Sequence, residues 1–238
     1  MMYLVLLLTS FIAALVSGAA GFGGSLLILP IVTSLLGAEV AVPVLTLAQL
    51  IGNVSRMATG FKQIEWKSVG LFCTTALPLA ALGAFGFSIL PKDIVTRCIG
   101  AALIALVFFK MKNIFTGKRS GKTLLIGGAI TGAVSGLAGS GGPIGAAVFL
   151  SLGLPPVAYI ASEAATATAM HMLKTIIYSK LTSLTTETLI IGFVMGIAMV
   201  FGTLVSNRLI KKMDKNKFQK YVAALLVVVG GYMFIFGV

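Results

Sequence analysis

Long apolar stretches separated by short polar breaks dominate the chain. A bilayer-crossing helix needs about 20 apolar residues at about 1.5 Å rise each. Six stretches meet that requirement, at 40–61, 68–90, 94–111, 156–179, 187–209 and 218–238, the third at the short end of the range. Two further regions, 2–36 and 123–152, are apolar but interrupted by glycine clusters. The first cluster reads Ser17-Gly18-Ala19-Ala20-Gly21-Phe22-Gly23-Gly24-Ser25, and the second Ser135-Gly136-Leu137-Ala138-Gly139-Ser140-Gly141-Gly142-Pro143. The pattern predicts an all-α polytopic membrane helix bundle.

The two clusters register at a constant offset of 118 residues, pairing Ser17 with Ser135, Gly18 with Gly136, Gly21 with Gly139, Gly23 with Gly141 and Gly24 with Gly142. Each is followed by a short apolar helix, a turn at Gly37 or Gly153, a long span with polar residues, a polar break and two more spans. This predicts two repeats, 1–115 and 116–238, each a broken hairpin plus three spans. Broken apolar segments at equivalent places in two halves are a sequence pointer to a transporter site.

Basic residues set the orientation. If each glycine-broken region is a hairpin, all but four of the 18 Lys and Arg residues (Lys92, Arg97, Lys174 and Lys180) fall on one side. A single crossing would instead split the two richest loops, 110–122 and 208–220, between the two sides, against the positive-inside bias. A hairpin plus three spans is an odd number of crossings, so the second repeat is expected to be inverted, with both termini extracytoplasmic. Met1 to Val16 lacks a basic start and its apolar pattern continues, so it reads as a membrane segment rather than a cleaved signal.

The candidate chemistry lies within this frame. Unwound backbone inside a membrane is tolerated only where it is buried in protein or lines a cavity. Helices starting near Gly24 and Gly142 would point their N-termini, with free N–H groups and about half a positive charge, toward the middle of the bundle, which favours an anion. Pro143 suits the first turn of the second of these. The competing role for glycine is close helix packing, and Gly128-x-x-x-Gly132-x-x-x-Gly136 fits that. On the helix after the first cluster, Gln49, Asn53 and Arg56 share one face at i, i+4 and i+7. At the offset of 118, His171 matches Asn53 and Lys174 matches Arg56. Gln49, Asn53 and His171 are too short to snorkel, whereas two readings stand for Arg56 and Lys174, lining a pathway or snorkelling. Glu163 is the one carboxylate deep in a span, at about the depth of Arg56, and is expected to pair with Arg56 or to carry a coupled proton. The candidate binding set is therefore Gly21, Phe22, Gly23, Gly24, Ser25, Gln49, Asn53, Arg56, Gly139, Ser140, Gly141, Gly142, His171 and Lys174, with Phe22 and Ser140 as lining or gating residues.

Composition excludes several classes. The chain is 58% hydrophobic and 10% charged, with a mean hydropathy of +1.07, beyond what a soluble domain of this length can bury. The formal charge of +12 sits in breaks between spans, with no Lys or Arg before Arg56, which argues for membrane orientation and against a nucleic-acid partner. A single histidine rules out a multi-histidine metal site, and Cys73 and Cys98 lack any metal or redox spacing. No catalytic residue, metal or cofactor is expected. An intramembrane enzyme is the rival class, and Ser–Lys chemistry would be its remaining form.

Three stretches in order, Gly18–Gly24, Gly60-Phe61-Lys62-Gln63-Ile64-Glu65-Trp66 and Gly136–Gly142, resemble the sulfite exporter TauE/SafE family, also called the TSUP permeases. The resemblance covers essentially the whole chain. It implies a multi-pass cell-membrane protein moving sulfur-containing anions such as sulfite, thiosulfate, sulfoacetate or other sulfonates. The residues agree on an anion, because a cation pathway would ask for carboxylates or carbonyl rings. A carrier for another small organic anion is the alternative.

Overall fold

The computed structural model describes residues 2–20, 24–89, 91, 94, 97, 101, 121–139, 141–181, 185–209 and 235. The described residues form eight helices and no strand. They are α1 (Met2–Ala20), α2 (Ser25–Leu36), α3 (Ala38–Thr59), α4 (Trp66–Ile89), α5 (Gly121–Ala138), α6 (Gly142–Ser151), α7 (Pro156–Leu181) and α8 (Thr186–Leu209), with a 3-10 turn at Phe61–Gln63. The expected spans at 94–111 and 218–238 lie outside the described residues apart from Ile94, Arg97, Ala101 and Ile235, and the 115/116 boundary lies outside them as well.

The second glycine cluster breaks its helix. Gly139 ends α5 at φ 74°, and α6 then runs back along it, with Gly141 and Gly145 against Thr131 and Gly127 against Val148. That is a re-entrant hairpin. In the first half α1 ends at Ala20 and α2 starts after its N-cap Gly24, and the two helices pack together. The matched turns are also present: Gly37 (φ 74°) and Gly153 (φ 64°) take the left-handed backbone that glycine adopts without a Cβ penalty.

The packing is unchanged when the halves are exchanged. α4 lies on α5 as α8 lies on α1, α3 lies on α8 as α7 lies on α4, and α3 and α7 cross each other. Individual contacts give the directions. Thr75 donates to the Leu125 carbonyl at 2.7 Å and Gly83 sits against Ala133 and Gly136, so α4 and α5 are parallel. Tyr3 donates to Glu187 at 2.9 Å and Ser206 to the Leu15 carbonyl at 2.6 Å, so α1 and α8 are parallel too. By contrast, Arg56 meets Glu163 and Gly60 meets Val157 and Ala161, placing the end of α3 on the start of α7. Equivalent helices therefore run antiparallel, which puts the two-fold axis across the helices. The two repeats have inverted topology.

Glycine sets the closest approach. Gly128, Gly132 and Gly136 of α5 each lie where a Cβ would strike the α4 backbone at Phe72, Ala76 and Ala80, the small-residue packing expected of that spacing. Outward, α8 presents Ile190, Phe193, Ile197, Phe201 and Leu204 as an exposed apolar stripe, unfavourable in water and suited to lipid. Phe61 and Trp66 meet edge to face at 5.6 Å at the α3–α4 corner, as aromatic residues do at a membrane interface.

Among the described residues, three helices are long and apolar enough to cross a membrane, at Glu39–Thr59, Trp66–Phe87 and Thr186–Ser206. The expectation that 156–179 would also qualify on apolarity needs correcting. α7 has the length at 26 residues but not the composition, because Ser162, Glu163, Thr166, His171 and Lys174 all lie on it and all are buried. It is a central helix whose polar groups are shielded by α3, α4 and α6.

Candidate functional site

Gln49, Gly52, Asn53 and Arg56 form one face of α3, as their spacing requires. That face borders a narrow cavity of about 10 Å³, room for about one water molecule, completed by Gly24 at the start of α2, Ala14 of α1, and Met199 and Thr203 of α8. Gly52 lets Met199 approach, since a Cβ there would lie 3.4 Å from the Met199 Cβ. Gly24 is the N-cap of α2 with no side-chain cap, so the first-turn N–H groups are not answered by a capping side chain.

Among the described residues, three N–H donors of the cavity's lining side chains have no partner: Gln49 Nε2, Asn53 Nδ2 and Arg56 Nη1. Their side chains are buried, and an unanswered buried donor costs about 1–3 kcal/mol. The Asn53 amide is oriented by Arg56, whose Nη2 donates to its Oδ1, so the amide nitrogen is the free end. The same Nη2 donates to Glu163 Oε2 at 3.0 Å. Arg56 is 4% and Glu163 2% exposed. Arg56 therefore does not snorkel; it is held inside the bundle, bridging the two repeats. Glu163 in turn lies beside Gly145 of α6, in contact range of the second hairpin.

The second half is organised differently. Lys174 is fully buried at 0% exposure. Its ammonium donates to the Ser135 carbonyl at 2.9 Å, the Ser135 hydroxyl at 2.9 Å and the Gly139 carbonyl at 2.7 Å. Tyr178 donates to the Gly136 carbonyl at 2.9 Å. All three ammonium protons are used, so neither a snorkelling nor an anion-binding role fits Lys174 in this conformation. The lysine answers carbonyls that the broken end of α5 leaves open. His171 is buried on the same helix, and its Nδ1 and the Thr131 hydroxyl have no partner among the described residues.

The structure thus gathers Gly24, Gln49, Asn53 and Arg56 around one cavity and joins Glu163 to it. Gly139 and Gly141 lie at the second break, and Gly142 opens α6 with Pro143 in its first turn, apart from that cavity's lining. Gly21, Phe22, Gly23 and Ser140 lie outside the described residues, as does the side chain of Ser25. Sequence reasoning missed Met199 and Thr203. Thr203 carried a faint signal, being one of few polar residues in an apolar span; Met199 carried none.

Comparison with curated proteins and with solved structures returns no match. The family model described as sulfite exporter TauE/SafE matches residues 6–233. With the helical membrane bundle, that match places the chain among transporters: it belongs to the sulfite exporter TauE/SafE family.

Proposed function

We propose that the protein is a secondary carrier of the cell membrane that moves a small sulfur-containing anion, such as sulfite, thiosulfate, sulfoacetate or another sulfonate. The binding place is the cavity at Gly24, Gln49, Asn53 and Arg56. One observation carries this reading: three residues that line one small space each hold a buried N–H donor without a partner among the described residues. An oxyanion offers several acceptor oxygens and no obligatory donor, and charge-assisted bonds to a guanidinium are the strong ones. A bare cation would meet a guanidinium and amide N–H groups there.

Inverted repeats suit alternating access. The cavity borders Arg56 of the first half, while Lys174, matched to Arg56 in the second, is bonded to Ser135 and Gly139. In the exchanged state the second-half positions, His171 among them, face the opposite side. Repeats 1–115 and 116–238 move against each other in surrounding lipid, with the basic breaks in the cytoplasm and both termini outside.

The test is thermal unfolding of the purified protein with sulfite, thiosulfate, sulfoacetate and methanesulfonate, against acetate, succinate and chloride. A ligand at about 100 times its dissociation constant stabilises by about 2.7 kcal/mol. A rise in Tm with one or more sulfur oxyanions supports the reading. A rise with carboxylates alone replaces it with an organic-anion carrier. Chemical alteration of the solute after passage into liposomes would point to an enzyme instead.

A further inference from the structure

We infer that the substrate anion displaces Glu163 from Arg56 and that Glu163 leaves as its carboxylic acid, so that one proton travels with each monoanion. The inference rests on the proposed anion site and adds its coupling ion. Bidentate recognition of an oxyanion uses both terminal nitrogens of a guanidinium. On Arg56, Nη1 is open to the anion, whereas Nη2 is held by Asn53 and Glu163. Anion and carboxylate therefore compete for the same edge.

Charge balance decides the outcome of that competition. The buried Arg56–Glu163 pair is neutral in sum. Among the described residues, Arg56 is the charged group that α3 turns toward Glu163. α6 offers Gly145 beside it, and the nearby α4 residue is Phe72. On α7 itself Tyr159 lies in electrostatic range, while Lys174, three turns further on, spends its donors on Ser135 and Gly139. His171 lies in electrostatic range of Lys174 and Arg56. Among the described residues, Arg56 is the one cation at ion-pair distance from Glu163, and a buried carboxylate parted from its cation is strongly unfavourable. Protonation of Glu163 restores neutrality. Before binding the site holds guanidinium and carboxylate; afterwards it holds guanidinium, anion and carboxylic acid. One O–H bond forms, with its proton taken from water on the side to which the cavity opens. It breaks on the other side as the anion departs and the ion pair closes again. The cycle is electroneutral for a monoanion, which favours a sulfonate or hydrogen sulfite over a dianion.

Methanesulfonate is the probe, because it stays ionised throughout the accessible pH range. Its affinity and the protons taken up on binding are measured in weakly buffered solution. For the wild type, affinity weakens by about tenfold per pH unit where the free site holds an ionised Glu163, and about one proton enters per anion bound. Glu163→Gln binds with no pH slope and no proton uptake, while Glu163→Asp keeps both. Wild-type binding without a slope or uptake, or a Glu163→Gln variant that keeps the wild-type slope, overturns the coupling and leaves the site intact. No binding by wild type or variant at any pH overturns the site and the coupling together. The wild-type proton count decides the matter even if the variants do not fold.

Discussion

Arg56 and Lys174 occupy equivalent positions in the two repeats but are bound in opposite senses. Arg56 reaches across to Glu163 of the other repeat at 3.0 Å. Lys174 turns back onto its own hairpin, at 2.7 Å from the Gly139 carbonyl and 2.9 Å from that of Ser135. The cation that crosses between repeats is the one that borders the cavity.

Removing the Lys174 ammonium should destabilise the fold more than it weakens anion binding. Lys174→Met keeps the length of the side chain but leaves two backbone carbonyls and a hydroxyl without their donor. Hydrogen bonds to a charged group contribute about 1.5–3 kcal/mol each, so a clear fall in Tm is expected. Methanesulfonate affinity at the first-half cavity should change by less than about threefold, or ~0.6 kcal/mol. Thermal unfolding and binding on the same preparation check both parts.

Asn53→Asp should leave the fold in place and disable the site. The substitution is nearly isosteric, but it exchanges an unpartnered N–H donor for a second carboxylate beside Arg56. Two carboxylates then compete with the anion for one guanidinium, and affinity should fall by at least about tenfold, or ~1.4 kcal/mol. Isothermal titration with methanesulfonate measures it. Unchanged affinity would remove Asn53 from the site.

Breaking the ion pair from one side should cost more than removing it. Arg56→Met leaves Glu163 buried without its cation, a loss of about 3–5 kcal/mol by analogy with other buried pairs. Arg56→Met combined with Glu163→Leu should recover much of the lost stability without recovering anion binding. Thermal unfolding of the two single variants and the double gives the coupling energy directly.

Two glycines in the α4–α5 region should respond in opposite directions. Gly132→Ala forces a methyl into the Ala76 backbone, which cannot yield, whereas Gly70 on α4 has nothing within 4 Å of a built Cβ. The first should lower Tm, and Gly70→Ala should be neutral or stabilising by about 0.5–1 kcal/mol from helix propensity. Unfolding curves of the pair separate packing from propensity.

Much of this organisation is legible in the sequence. The offset of 118 between glycine clusters anticipates two broken hairpins, and the side-by-side placement of basic breaks requires the inversion that antiparallel α3 and α7 display. The face formed by Gln49, Asn53 and Arg56 is a matter of helical spacing alone. Pairing of Arg56 with Glu163 is foreseeable from equal depth, because buried opposite charges have few other stable arrangements. Other features are not legible. The acceptors of Lys174 are carbonyls of Ser135 and Gly139, and a backbone group's direction at a helix break depends on tertiary packing, not on residue type. Met199 and Thr203 come to the cavity from α8, and nothing in an apolar span states which face meets α3. α7 misleads in the other direction: its length suggests an ordinary span, while its five buried polar and charged residues make it the helix most dependent on its neighbours.

In the proposed carrier, the space between Gly24, Gln49, Asn53 and Arg56 receives the transported oxyanion. Selenite, the selenium analogue of sulfite, provides the most direct measurement, through anomalous diffraction at the selenium edge from crystals soaked in it. The predicted result is a peak within hydrogen-bond reach of Arg56 Nη1, Asn53 Nδ2 and Gln49 Nε2. A peak seated instead beside Lys174 at the second hairpin, with none between Arg56, Asn53 and Gln49, would contradict that claim.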